Sequence, residues 1–144
     1  MKNINLTIYG NPVPKGRSKF AVIKGQAIAY TPKKTRVDEE NLRAQMLPYR
    51  PESPLQGALS LMLLIYRSIP KSFSKKRQKL AEAGHISPIT RPDIDNYLKQ
   101  CVDAMSGIFF RDDSQICQVT LAKWYSDRPR IQVSISQIQE EREE

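Results

Sequence analysis

The 144-residue chain has two cysteines, one histidine and one tryptophan. Nowhere does it run apolar for the ~18 residues of a membrane helix. Each shortage removes a class of protein. Cys101 and Cys117 form no CxxC and have no neighbouring histidine, so neither a disulfide framework nor a zinc site is supported. Both read as buried free thiols of a reducing compartment. His85 stands alone in a loop and reads as a surface residue rather than a ligand. The longest apolar stretch, 58–65, is strand-sized, and MKNINLTIYG lacks the apolar centre of a secretory signal. A glycine-rich phosphate loop, a GxSxG and an EF-hand spacing are all missing. Together these absences predict a cytoplasmic protein that does not span a membrane.

Negative charge is missing from the first quarter of the chain. Residues 1–36 carry Lys2, Lys15, Arg17, Lys19, Lys24, Lys33, Lys34 and Arg36, and no aspartate or glutamate. A second basic run, Lys71, Lys75, Lys76, Arg77 and Lys79, precedes Glu82, and the formal net charge is +8. Such runs standing alone are solvated faces. Beside an acidic, metal-type site they read better as groups that neutralise phosphates. The closing EEREE reads as a frayed acidic tail.

Apolar periodicity predicts a single α+β domain, large enough to bury its own core. Ile4, Leu6 and Ile8 alternate as a half-buried strand. The stretch 11–19 is a basic, turn-rich loop. Residues 20–23 and 27–30 flank Lys24-Gly25-Gln26 as a short hairpin. Thr31-Pro32 supplies an N-cap and a first-turn proline for a helix to about Leu47. Residues 58–66 read as a central strand. A basic second helix runs from Ser72 to about Gly84, and a third from about Asp95 to Met105. Gly107 follows where a C-terminal cap belongs. Two last strands, 115–125 and 130–138, are joined by Ser126-Asp127-Arg128-Pro129. The expected sheet is mixed, with an antiparallel C-terminal hairpin and about three helices.

The acids that do occur are clustered. RPDIDNYLKQCVDAMSGIFFRDDSQI, residues 91–116, holds Asp93 and Asp95, then Asp112 and Asp113. Gathering carboxylates in a basic chain costs self-repulsion unless a cation lies between them. Two apart on a helix, Asp93 and Asp95 would point about 200° apart. With Pro92 before them, Asp93 can instead project from the end of the loop and Asp95 from the helix N-cap, toward one ion. Lys99 lies four residues on, along the same face, and Asp103 four more, placed to pair with Lys99. Adjacent side chains diverge, so one of Asp112 and Asp113 belongs to the site and the other outside it. Three carboxylates suit Mg²⁺, with Mn²⁺ able to substitute. Metal-dependent cleavage of nucleic acid is the first reading. A non-catalytic DNA-binding protein with structural acids is the second. A metal-dependent phosphatase is the third, and it has no need of so acid-free an N-terminus.

This segment resembles the signature of the RusA family of Holliday-junction resolvases. GNPVPKGRSKF, YTPKKT and LAKWYSDRPRIQVSI are also similar to that family, so the resemblance spans roughly 4–138 and leaves 67–90 unmatched. It implies a magnesium-dependent endonuclease, often phage-derived, that cuts four-way DNA junctions as a homodimer. By position it implies Asp93, Asp95 and Asp113 as catalytic, metal-holding carboxylates, Asp112 as a lesser member and Lys99 as an essential lysine. Arg91 stands where lysine is more usual. Lys15, Arg17, Lys19, Lys33, Lys34, Lys71, Lys75, Lys76, Arg77 and Arg91 are the expected DNA contacts.

Overall fold

A computed structural model describes residues 2–16, 19–30 and 32–141. Six strands and three helices follow one another as β1 (Asn3–Tyr9), β2 (Lys19–Ile23), β3 (Gln26–Tyr30), α1 (Lys33–Met46), β4 (Leu59–Ser68), α2 (Lys75–Glu82), α3 (Ile94–Met105), β5 (Ile116–Ser126) and β6 (Arg130–Gln137). The class is α+β, as the periodicity predicts. Strands β1, β6, β4 and β5 form one mixed sheet in that order, and β2 with β3 forms a separate two-stranded ribbon.

Alternation along the strands makes one face of the large sheet apolar. Leu6, Val133, Leu63 and Leu121 stand in one row across it, and Ile8, Ile131 and Ile65 in the next. Met46 of α1 and Cys101, Ala104 and Met105 of α3 close the core over this face, with Phe109 and Phe110 of the following turn. β4 lies inside the sheet, in keeping with its apolar sequence. α2 lies against β5 instead: the Phe73 ring before it meets Tyr125 edge-on at 5.8 Å.

The expected C-terminal hairpin is not there. β5 and β6 run antiparallel and are joined by the predicted turn, yet β4 lies between them, parallel to β5 and antiparallel to β6. The strand carrying Leu59, Leu61, Leu63 and Ile65, each almost wholly buried, takes the position that buries both its edges. Turn chemistry reveals a reversal of the chain and not which strand fills the gap.

Helix starts also shift. Pro32 and Asp93 are themselves the N-cap residues of α1 and α3, so Pro32 precedes the first turn and Asp95 lies inside it rather than at the cap. The proposed cap Thr31 lies outside the described residues. Ser74 rather than Ser72 caps α2, accepting from the Arg77 amide at 3.2 Å. Cys101 is buried as expected, which pushes its thiol up to about 12. Cys117 is exposed on β5, the edge strand.

Candidate metal and nucleic-acid site

Asp93 and Asp95 stand at the start of α3, both exposed. Asp93 has extended backbone and makes no side-chain cap. Among the described residues neither carboxylate accepts a hydrogen bond or forms an ion pair. The approach to the helix is fixed from below. Arg67, near the end of β4, donates to the carbonyls of Thr90 and Arg91 at 2.8 and 3.1 Å. Lys123 of β5 donates to the Pro92 carbonyl at 3.2 Å. Lys123 shares the helix-covered face with Ile65, its partner in register. Neither cation entered the sequence-based site. The signal was present, since Lys123 interrupts an otherwise apolar stretch and a charge on that face needs a buried or structural partner.

Lys99 lies one turn beyond Asp95, exposed, with its Nζ 3.5 Å from Asp103 Oδ1. This is the expected pairing. Asp103 is shared, because Lys15 reaches it at 3.2 Å and reaches Glu39 of α1 at 2.6 Å. Arg43 completes the chain, 3.7 Å from Glu39 and bonded to the Asp103 and Ala104 carbonyls. Burial works against the Lys15 charge, but hydrogen bonds to Glu39 and Asp103, with the charge of both acids, overcome it and raise its pKa. Lys15, expected as a phosphate contact, is half-buried and paired with Glu39 and Asp103.

Asp112 and Asp113 divide their roles. The Asp112 carboxylate accepts from the Ser114 amide at 3.1 Å and caps the short 3₁₀ turn Asp113–Gln115. That bond, and then a hydrogen bond with Asp113, hold Asp112 below the usual carboxylate range. Asp113 is held above it, first by the same shared bond and then by burial and the charge of Asp112. It also feels Lys99, which opposes the rise, and Asp103, which adds to it. Gln115 secures the turn: its Oε1 accepts from the Arg111 and Asp112 amides at 3.0 and 3.1 Å. Its Nε2 donates to the Leu55 and Gly57 carbonyls at 3.0 and 3.1 Å.

Free, exposed carboxylates are donors of the kind a hard divalent cation takes. The described residues nevertheless include no group of three His, Cys, Asp or Glu side chains close enough to hold an ion. Among the described residues Asp93, Asp95 and Asp113 are not drawn into one cluster.

The remaining basic candidates are spread over the surface. Lys19 begins β2, Lys33 and Lys34 open α1, and Lys71 precedes α2, which carries Lys75, Lys76 and Arg77; all are exposed. Lys34 pairs with Asp38 at 2.8 Å. The Arg77 guanidinium lies 4.1 Å from the centre of the Phe73 ring. Arg91 is exposed beside Pro92, and His85 is an exposed loop residue. Arg17 lies outside the described residues.

An acid- and lysine-bearing helix laid on a mixed sheet, under a strongly basic surface, describes a phosphodiester-handling protein in outline. The comparison with known proteins makes it definite. Residues 9–136 match the family described as Endodeoxyribonuclease RusA, and the chain belongs to that family. It is also 35% identical over 140 residues to the uncharacterized protein YqaN of Bacillus subtilis strain 168. The match covers 96% of this chain and 99% of that one. Family membership makes the protein an endodeoxyribonuclease. No helix of the described residues is long and apolar enough to cross a membrane.

Proposed function

We propose that the chain is a Mg²⁺-dependent resolvase that cuts four-way DNA junctions by paired, symmetric phosphodiester hydrolysis. The observation that carries this reading is Lys99 on the same helix as Asp95, one turn beyond it and paired with Asp103, in a chain that belongs to the endodeoxyribonuclease RusA family. Asp93, Asp95 and Asp113 would hold the cation, and Mn²⁺ would replace Mg²⁺. When bound, such an ion supplies Lewis acidity toward the scissile phosphate. The protein's own part is positional. Asp93 and Asp95 project from a helix N-terminus whose dipole favours their negative charge. Lys99 sets an ammonium where charge develops on the phosphoryl oxygens, or where the attacking water must be held.

The basic residues supply affinity. Lys19, Lys33, Lys34, Lys71, Lys75, Lys76, Arg77 and Arg91, with Arg17, contact phosphates, which position DNA without reading its sequence. Two symmetric nicks need two active sites, which a two-fold homodimer provides. DNA as substrate places the activity in the cytoplasm.

Lys99→Ala separates the catalytic role from binding. Junction affinity should change little while the cleavage rate falls at least about 100-fold, the order lost on removing one preorganised charge-stabilising donor. Equal losses of binding and cleavage would remove Lys99 from the chemistry. A second reading, junction binding without cleavage, is favoured by the three carboxylates not being gathered. Metal-independent binding with no nicks under Mg²⁺ or Mn²⁺ would select it.

A further inference from the structure

The ribbon formed by β2 and β3 has no place in the mechanism above. It pairs with no strand of the main sheet. An isolated two-stranded ribbon is marginal in water and needs something to cover it. Its tip is a two-residue turn with Lys24 and Gly25 both at positive φ, 51° and 78°, which matches the twist of the flanking strands. One face carries Phe20 opposite Ala29 and Val22 opposite Ala27. Because both partners are alanines, the Phe20 ring and the Val22 side chain stand clear of the ribbon, 75% and 76% exposed. The opposite face adds Ile23, Ile28 and Tyr30, all exposed.

This arm is rooted at the candidate site. The Lys15 amide donates to the Asn96 carbonyl at 2.9 Å, beside Asp95, and the Lys15 side chain is held by Asp103 and Glu39. Gly16 lies so close to Thr35 of α1 that a Cβ there would collide with the threonine hydroxyl. Lys19 is three residue steps from Gly16, so β2 begins within about 11 Å of that anchor. An apolar arm about 17 Å long is therefore tethered next to the carboxylates of α3.

Charge decides what covers it. Residues 19–30 hold Lys19 and Lys24, both exposed, and no acid. The chain as a whole is +8, and an arm that carries two cations and no acid suits a polyanion. We propose that the β2–β3 arm is a wedge that enters the centre of a branched DNA, with Phe20 and Val22 packed on bases left unstacked there and Lys19 and Lys24 against the flanking phosphates. Apolar side chains inserted between base steps are a general means of holding DNA distorted, and aromatic rings stack on any base. In a linear duplex the same insertion must first break a stacked step. At a branch point part of that cost is already met, so the arm favours junctions. The inference rests on the resolvase reading and names what that site recognises.

The test uses the full-length protein and a four-way junction carrying 2-aminopurine at the branch point, in EDTA to prevent cleavage. Wild type should raise the fluorescence as it binds. Phe20→Ala/Val22→Ala should bind the junction about tenfold more weakly and leave the fluorescence at the free-junction level even when saturating. Its affinity for a linear duplex should stay within about twofold of wild type. Phe20→Trp, which keeps a stacking ring, should retain the rise. Both side chains are exposed, so a melting curve matching wild type establishes that the double variant is folded. A saturated double variant as bright as wild type overturns the proposal. Conversion of a dimer to a monomer by the double variant, with brightening intact, also overturns it and assigns the arm to a second copy. Parallel nicking of the junction in Mg²⁺ separates the two claims. Nicking by wild type without brightening removes the wedge alone, and the absence of both removes the resolvase reading with it.

Discussion

The residue that best explains its own position is Gln115. In the sequence it is only the last member of DDSQ, two residues after Asp113. In the structure its amide makes four hydrogen bonds that tie the 3₁₀ turn to the chain entering β4. Removing it should cost about 1–3 kcal/mol, the range for leaving backbone groups unpaired. Gln115→Ala is therefore expected to melt earlier and, because Asp113 loses its support, to cleave more slowly with junction affinity held. A variant that melts early but cleaves at the wild-type rate would show that the turn need not be rigid. At this scale the sequence was legible where spacing carries meaning. Lys99 and Asp103, four apart, do pair. It was not legible where a partner lies far along the chain. Nothing near Lys15 announces Asp103, and nothing near Pro92 announces Lys123.

At the scale of elements, the loop before β2 is fastened to both α1 and α3 by one side chain. Lys15 bridges Glu39 and Asp103, and its raised pKa gives the bridge a definite pH dependence. A lysine whose folded pKa exceeds the unfolded value adds stability that is fully present below the unfolded pKa, near 10.5. That stability is lost as the pH rises through the folded value. Lys15→Met should therefore be less stable than wild type by about 1–2 kcal/mol at neutral pH, between the values of exposed and buried pairs. The gap between the two melting temperatures should hold to about pH 10 and close above it. A gap that persists unchanged at pH 11.5 would assign the effect to packing of the lysine stem. Apolar patterning located every strand and helix to within a few residues, because Ile4, Leu6 and Ile8 alternate with polar residues and 58–66 is an apolar run of strand length. It missed the pairing of β5, since parallel partners are joined through the intervening α2 and α3, and no local turn records which strand lies beside which.

The whole molecule is a basic body in which Asp93, Asp95 and Asp103 stand along one helix and Asp112 and Asp113 at one turn. Phosphate contacts release counterions, so log affinity for a junction should fall linearly with log salt, with a slope of about −0.9 for each contact. Lys75→Ala and Lys76→Ala, on the exposed face of α2, should each make the slope shallower by about 1 with cleavage chemistry unchanged at saturation. A flat profile would remove the basic surface from DNA binding. Composition made that surface legible from the start, whereas gathering of the carboxylates depends on relations between elements that composition does not contain.

The measurement that bears most directly on the account is a nicking assay on a synthetic mobile four-way junction and a matched linear duplex. All strands are labelled, Mg²⁺ is compared with EDTA, and the intact chain with Asp95→Asn. Paired nicks at symmetric positions on the junction alone, dependent on Mg²⁺ and lost in Asp95→Asn, are the predicted result. Nicks of equal rate on both substrates, or nicks that survive Asp95→Asn, would contradict it.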